Sequence, residues 1–321
     1  MKLNSTKTMM IKMIIISSLM TISSNNFLYS WMSMEINTIV FLPLMSKSTK
    51  MKDQIMKYFI IQSTASSMLL MAMLINSSIE TPINTSTMIM MSLMMKLGLM
   101  PTHMWLPTVM NSISWENCII MSTIQKITPM IMVSQMLTMN MSTLPMILSL
   151  LMGPISAMKQ LSTKKIMSFS SIANMPWMMN SINNSKTQFL MFMTIYSAMT
   201  MMMMNKFKKM NMQFINQLST SSKSQKMSMM IMSMSISGMP PMMGFLPKWM
   251  IIQTTMMSSL TMTISMISSS VISTFIYIKM ISPSMMMQTK MKKTKKKETM
   301  ENLDILINVM GLPMMMMIKS I

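Results

Sequence analysis

The chain has 321 residues, of which 51% are hydrophobic and only 11% are charged, whereas an average soluble domain carries about a quarter charged residues. This composition argues against an ordinary soluble enzyme. Cys118 is the one cysteine and His103 the one histidine. A cysteine-based zinc site, a cysteine-held iron–sulfur cluster and a haem held by two histidines are therefore excluded.

The charge of the chain is one-sided. All 27 basic residues are lysines, and 7 acidic residues leave a net charge of +20. Such a balance can indicate a nucleic-acid partner, but a specific nucleic-acid binder is expected to use arginine for bidentate contacts. With a mean hydropathy of +0.44, the composition predicts a membrane protein whose lysines lie in loops, with no nucleic acid among its partners.

The composition also carries a signature of the gene. Met, Ile, Lys, Asn and Ser are abundant, with 67 methionines, while arginine is absent and only 5 glycines occur. An AT-rich gene that reads AUA as Met and AGA or AGG as Ser gives this pattern. We therefore expect a mitochondrial gene of the invertebrate type.

The apolar segments predict an all-α polytopic membrane protein with about eleven transmembrane helices, because a span needs about 20 apolar residues. The first segment follows two lysines, as a signal peptide would, but no convincing cleavage site follows it, and we expect a retained span. The predicted spans are about 9–24, 31–46, 55–76, 88–106, 118–138, 144–158, 166–182, 189–205, 228–254, 260–281 and 303–320.

The lysines predict the orientation of these spans. If the spans alternate, the side of the membrane that holds the N-terminus receives nearly all of the loop lysines. The other side receives only Lys186 and Lys319. Lysine-rich loops face the side of synthesis, so we expect the N-terminus in the matrix and the C-terminus in the intermembrane space. The loop lysines assigned to the matrix side are Lys2, Lys7, Lys47, Lys50, Lys52, Lys159, Lys164, Lys165, Lys206, Lys208, Lys209, Lys223, Lys226 and those of the run from Lys290 to Lys297.

Several charged residues fall inside the predicted spans. Glu35, Lys96 and Lys126 lie in apolar sequence, where a charge costs at least about 2.5–3.5 kcal/mol, and such residues usually face a bundle interior or a hydrated cavity. Burial disfavours a charged lysine and a nearby carboxylate favours it, so small movements could switch a lysine–glutamate pair. This chemistry suits a proton relay. The alternative is a buried pair that only locks helices together.

Two spans contain helix breakers in apolar sequence, one over residues 97–107 and the other over residues 238–249. Broken helices at membrane depth are tolerated where they are buried or line a cavity. The first interrupted span is the fourth of the first five spans, and the second is the fourth of the next five. Because five is an odd number, the two groups of five spans have opposite orientations in the membrane. The pattern predicts two inverted five-helix repeats, 1–138 and 144–281, each with a broken helix, followed by a basic loop and last helix, 282–321. Two unrelated proline kinks are the alternative.

Several short motifs carry a resemblance that extends, in order, from about residue 31 to residue 253. The chain resembles the subunit 2 family of mitochondrial NADH:ubiquinone oxidoreductase, respiratory complex I, which belongs to the antiporter-like membrane subunits. The motifs that carry the resemblance are Trp31–Asn37 with Leu42-Pro43-Leu44, Lys57-Tyr58-Phe59 with Gln62, Lys96-Leu97-Gly98 with Pro101, His103 and Trp105, Gln125-Lys126-Ile127 with Pro129, Lys165-Ile166-Met167 with Ser170-Ser171-Ile172, and Gly238–Pro241 with Gly244–Trp249.

The resemblance implies a proton-translocating module of the complex I membrane arm. By motif, Glu35 is the carboxylate that tunes Lys96. Lys126 is then the central relay lysine, passing protons from Lys96 toward Lys248 of the second broken helix, and His103 bridges water between them. The resemblance also implies that no cofactor is held by this chain, because NADH, FMN, iron–sulfur clusters and ubiquinone act on other subunits. The implied partners are other membrane-arm subunits of complex I and phospholipid of the mitochondrial inner membrane.

The chain departs from the family pattern at two places. The paired glycines before Pro-Pro are reduced to Ser237-Gly238, and the histidine of the seventh span is replaced by Asn174, with Pro176 in place of the following glycine. These changes weaken a relay role at position 174 and leave the charged positions intact. A stand-alone cation/proton antiporter and a structural scaffold whose lysines only pack remain the alternative functions.

Overall fold

The structure, a computed structural model, describes residues 5–46, 52–78, 82–135 and 142–286 together with residue 308. Within these ranges the regular structure is helical, apart from one isolated antiparallel bridge between Ser162 and Phe214. The predicted all-α fold is therefore confirmed. The lysine run at 290–297 and the last predicted span, 303–320, lie outside the described residues.

The described helices follow the first ten predicted spans in order. Three of the helical stretches are long and apolar enough to cross a membrane on length and composition alone, namely Ser5–Ser23, Asp53–Asn76 and Leu260–Pro283. The helices are α1 (Ser5–Ser23), α2 (Phe27–Met45), α3 (Lys52–Ser78), α4 (Pro82–Leu97), α5 (Trp105–Ser112), α6 (Trp115–Ser122), α7 (Ile124–Ser134), α8 (Thr143–Met158), α9 (Thr163–Asn184), α10 (Lys186–Lys209), α11 (Lys223–Ser237), α12 (Phe245–Ser258) and α13 (Leu260–Met286).

The helices tolerate many serines because many of the hydroxyls find an acceptor in their own helix. Ser92 donates to the carbonyl of Ile89 at 2.7 Å, and Ser171 donates to the carbonyl of Ser168 at 2.7 Å. Such bonds to the preceding turn satisfy the hydroxyl without a partner helix. Polar side chains can therefore be buried in apolar surroundings without leaving an unsatisfied group.

The chain divides into two compact units, unit 1 (Met1–Ser149) and unit 2 (Leu150–Ile321). In unit 1, Lys7 near the start of α1 forms an ion pair with Glu116 in the first turn of α6. Gln135, just after α7, donates to the carbonyl of Ser24, just after α1, at 3.2 Å. The starts of α1 and α6 therefore lie at one end of unit 1, and the ends of α1 and α7 lie at the other.

In unit 2, the loops that follow α8 and α10 bind each other. The amide of Thr163 donates to the carbonyl of Gln213 at 3.0 Å, and the amide of Ile215 donates to that of Leu161 at 3.1 Å. Near the end of α9, Asn184 donates to the hydroxyl of Thr254 in α12 at 2.6 Å. The two lysine-rich loops therefore share one end of unit 2.

Both predicted helix interruptions are present. α4 ends at Leu97 and α5 begins at Trp105, while α11 ends at Ser237 and α12 begins at Phe245. Gly98 and Gly238 follow the two helix ends with φ of 72° and 80°, a left-handed conformation that favours glycine and closes a helix. At each interruption the regular helical hydrogen bonds stop, so backbone N–H and C=O groups there can bind side chains within the same unit.

The structure corrects the fifth predicted span. The segment 118–138 was expected to form one helix, but α6 ends at Ser122 and α7 begins at Ile124. Thr123 separates them with φ −117° and ψ −80°, and its hydroxyl donates to the carbonyl of Ile119 at 2.7 Å. Lys126 consequently lies in the first turn of a new helix.

Candidate functional site

An ion pair joins two helices in the interior of unit 1. The Lys96 Nζ lies 3.1 Å from Glu35 Oε1, and the exposed fractions of the two side chains are 3% and 24%. Lys96 ends α4 immediately before the interruption, and Glu35 lies in α2. The predicted approach of these two residues is confirmed, while their role in a relay stays a prediction.

A cavity in unit 1 contains the side chains of both Lys96 and Lys126. It offers about 30 Å³ to the centres of water molecules, which is room for two waters, since one water needs about 10–15 Å³ on this measure. Lys126 is buried, with 4% of its surface exposed. Besides the lysines, the polar lining consists of Thr38, Tyr58, Gln62, Trp105, Gln125 and Thr128.

The first turn of α7 presents Lys126 to this cavity. The amide of Lys126 donates to the carbonyl of Thr123 at 3.2 Å, which starts the new helix. Pro129 has no N–H. The carbonyl of Gln125, which would accept a hydrogen bond from residue 129 in a regular helix, therefore has no helical donor. The break at Thr123 and the proline thus leave the backbone on both sides of Lys126 unusually polar for a membrane helix.

An amide cluster connects α2 to α7 beside the lysines. Gln125 donates to Asn37 Oδ1 at 2.8 Å, and Asn37 in turn faces the Thr128 hydroxyl at 3.5 Å. Gln62, which also lines the cavity, has its Nε2 3.4 Å from the carbonyl of Lys96. In the sequence Asn37 belongs only to the motif Trp31–Asn37, and its contact with α7 joins segments that are distant in the chain, so no sequence pattern reveals it.

The structure does not bring His103 into this cavity. Its Nδ1 lies 3.2 Å from the carbonyl of Pro101, and the ring is buried, but His103 is not among the residues that line the cavity of Lys96 and Lys126. The predicted water bridge at His103 therefore has no support from the cavity lining and stays a prediction.

Lys248 lies in a separate cavity within unit 2. Its Nζ donates to the carbonyl of Ser237 at 2.8 Å, the last residue before the interruption of that unit. The same Nζ lies 5.5 Å from the centre of the Trp177 ring, a geometry that stabilises a cation. A Cβ at Gly238 would come within 2.9 Å of Lys248 Cδ, so the glycine makes room for the lysine.

The cavity of Lys248 is lined by several hydroxyls and by Asn174, one of the departures from the family pattern. It holds room for about one water, with about 20 Å³ open to water centres. Asn174 lines it, so the residue that replaces the family histidine faces the same space as Lys248. Trp177 was not singled out from sequence, because an aromatic residue in an apolar helix usually packs in a core.

Buried lysines on interrupted helices, one of them paired with a glutamate, define a class of membrane proteins that move ions. The family model described as "NADH:quinone oxidoreductase/Mrp antiporter, TM" matches residues 24–276. NADH-ubiquinone oxidoreductase chain 2 of Locusta migratoria is 36% identical over 274 residues, covering 80% of this chain and 79% of that protein. The protein of the same name from Anopheles gambiae is 36% identical, covering 79% and 78%.

Solved structures show the same fold. A chain of respiratory complex I from Thermus thermophilus superposes with a TM-score of 0.83 at 16% identity, covering 95% of this chain and 76% of that chain. A chain of the Mrp complex from Dietzia sp. superposes with a TM-score of 0.70 at 12% identity, covering 86% and 59%. The chain belongs to the NADH:quinone oxidoreductase/Mrp antiporter membrane family, and its curated relatives place it among the chain 2 subunits of that family.

Proposed function

We propose that this chain is a proton-translocating membrane-arm subunit of NADH:ubiquinone oxidoreductase. The observation that carries the proposal is the shared cavity of unit 1, in which Lys96, held by Glu35, lies with Lys126 beside space for water. Two buried lysines with room for water between them are expensive to bury for packing alone, but they suit proton exchange.

The pair with Glu35 makes Lys96 switchable. While the carboxylate lies 3.1 Å away, the charged amine is favoured, and separating the two leaves a buried cation without its partner. A proton can then leave Lys96 through water to the Lys126 amine, so that Lys96 becomes neutral and Lys126 becomes charged. Glu35, Lys96 and Lys126 would form the relay of unit 1, and Lys248 would serve unit 2.

We assign the redox chemistry to other subunits. No cofactor is proposed for this chain, and NADH, FMN, iron–sulfur clusters and ubiquinone would act elsewhere in the complex. The chain would take part in the enzyme by coupling that chemistry to proton movement. Its partners would be other membrane-arm subunits and phospholipid of the mitochondrial inner membrane, a location that the curated relatives support.

The finer topology is also part of the proposal. Eleven spans, arranged as two inverted five-helix repeats and a last helix, agree with the contacts at the ends of each unit. The pairing of Lys7 with Glu116 joins two segments that alternate spans assign to one side, and the bonded loops after α8 and α10 do the same for unit 2. The lysine-rich ends would face the matrix, with the C-terminus in the intermembrane space.

Replacement of Lys126 by methionine tests the proposal. Methionine keeps a long apolar stem and removes the amine, so we expect the complex to assemble. NADH:ubiquinone turnover per assembled complex should fall about 100-fold, the lower end of what a positioned proton carrier contributes. Lys159→Met, at an exposed lysine after α8, is the matched control and should leave turnover unchanged. An assembled Lys126→Met complex with normal turnover would favour the scaffold alternative.

A stand-alone cation/proton antiporter is the second candidate, because the Mrp complex chain shares the fold. The two candidates differ in what the chain needs in order to work. A subunit should co-purify with the redox subunits in a native complex, identified by mass spectrometry, and should move protons only when NADH is oxidised. A free antiporter should exchange sodium or potassium for protons in vesicles that contain this chain alone.

A further inference from the structure

Trp105 is a buried hydrogen-bond donor in the cavity that Lys96 and Lys126 line in unit 1. It begins α5, its surface is 7% exposed, and it lines the cavity that contains Lys96 and Lys126. Its indole Nε1 is buried and has no hydrogen-bond acceptor among the described residues. Buried polar groups are nearly always satisfied, so this N–H calls for an acceptor from within the cavity.

The position of the indole ring is fixed by two packing contacts. The Tyr58 ring lies 5.8 Å away between centres, at an angle of 57°. The ring also closely approaches Gly98, since a Cβ built there would come within 3.3 Å of Trp105 Cζ2. The left-handed glycine that ends α4 therefore also leaves room for the indole, and the N–H has a defined place.

We propose that the Trp105 N–H binds a water molecule in this cavity and holds it in the proton path between Lys96 and Lys126. The inference rests on the proposed function and adds a positioning residue to it. The cavity has room for two waters, and a water in this place could accept hydrogen bonds from the indole N–H and from the Lys96 amine. Its own hydrogens would face the Lys126 amine and Gln125 Oε1, which remains an acceptor because Gln125 donates through Nε2.

The indole itself does not exchange its proton. In the transfer, the Lys96 ammonium gives a proton to the water, and the water gives a different proton to the neutral Lys126 amine. The N–H bond of Trp105 stays intact, and the total charge of the cavity is unchanged. Trp105 would thereby position a water next to the lysines, a place that His103 does not reach, since its Nδ1 lies 3.2 Å from the carbonyl of Pro101 and it does not line the cavity.

Two substitutions at position 105 separate hydrogen bonding from packing. Trp105→Phe keeps an aromatic ring and removes the donor. Trp105→His restores an N–H, because histidine Nε2 occupies the ring position of tryptophan Nε1, but it fills less space and is more polar. Trp31→Phe is the control in the same unit, since Trp31 donates to the carbonyl of Ser66 at 3.1 Å and does not line the cavity.

The readout is the rate of NADH-driven proton uptake per assembled complex in proteoliposomes at pH 8. We expect Trp105→Phe to reduce it about fivefold, the change that loss of one neutral hydrogen bond produces, and Trp105→His to recover at least half of the loss. Trp31→Phe should retain the wild-type rate. A normal rate for Trp105→Phe, or a rate for Trp105→His at or below that of Trp105→Phe, would overturn the inference.

A map of the wild-type complex that resolves waters gives an independent test that needs no variant. A water oxygen within about 3.2 Å of the indole Nε1 is the expected result, and a protein or lipid group in that place would overturn the inference. Failure here is distinguishable from failure of the proposed function. If Lys126→Met abolishes turnover while Trp105→Phe does not, the relay stands and the role of Trp105 does not.

Discussion

Removing the charge of Glu35 tests whether the ion pair of unit 1 is a switch or only a lock between helices. Glu35→Gln keeps the shape of the side chain and removes the carboxylate that lies 3.1 Å from Lys96 Nζ. Lys96, with 3% of its side chain exposed, is then left without its counter-charge. It must either remain as a buried cation or lose its proton.

The expected loss of stability follows from the burial of the two partners. Breaking a fully buried pair costs about 3–5 kcal/mol, but the Glu35 side chain is 24% exposed, so we expect about 2–3 kcal/mol, between the buried and the exposed cases. Glu116→Gln breaks the more exposed pair with Lys7, whose side chains are 20% and 30% exposed. That control should lose at most about 1 kcal/mol.

A double-mutant cycle with Lys96→Met provides the assay. Each single variant leaves one charge without its partner, whereas Glu35→Gln with Lys96→Met leaves neither, so the double variant should regain most of the lost stability. Stability is measured as the resistance of the isolated complexes to denaturant, and turnover is measured on the same samples. The switch predicts a stable double variant with little turnover. Strictly additive losses of stability, or a double variant with full turnover, would refute the reasoning.

Two further predictions concern the interruption of unit 2 and the topology. Gly244→Ala should lower the amount of assembled complex severely, by a destabilisation of about 3 kcal/mol or more, because a Cβ at Gly244 would overlap the carbonyl oxygen of Ser235. Gly153→Ala is the milder comparison, since the atom nearest to a Cβ there would lie at 3.2 Å. Equal yields of the two variants would contradict the packing argument. The lysines at 290–297 should react with an impermeant amine reagent only from the matrix side of inner-membrane vesicles, and labelling from the intermembrane space would overturn the proposed orientation.

Much of the helical order could be predicted from sequence because membrane spans obey simple rules. Apolar runs of sufficient length must be helical in lipid, and glycine and proline in such runs predict where the helices stop. Both interruptions lie where the residues Gly98 and Gly238 indicated. The pair of Glu35 and Lys96 could be expected for the same reason, since opposite charges that are costly in lipid lower that cost by meeting.

The remaining features depend on packing between helices, which no short stretch of the sequence reveals. The break at Thr123 has no glycine, and Pro129, the nearest breaker, lies six residues later, so the segment was read as one span. The family resemblance implies a water bridge at His103, whereas Trp105 is the residue that lines the cavity. The ring of Trp177 over Lys248 likewise depends on the contact between two helices distant in sequence.

The rate of proton uptake per assembled complex, followed together with NADH oxidation, tests the central claim most directly. It is measured in proteoliposomes that contain the complete complex with Lys126→Met, from the pH change on each side and the absorbance of NADH. Proton movement through the buried lysines predicts that this variant assembles and that proton uptake falls together with NADH oxidation, because the two are coupled. Unchanged turnover at an unchanged proton ratio would show that Lys126 only packs within unit 1, and the account would be wrong.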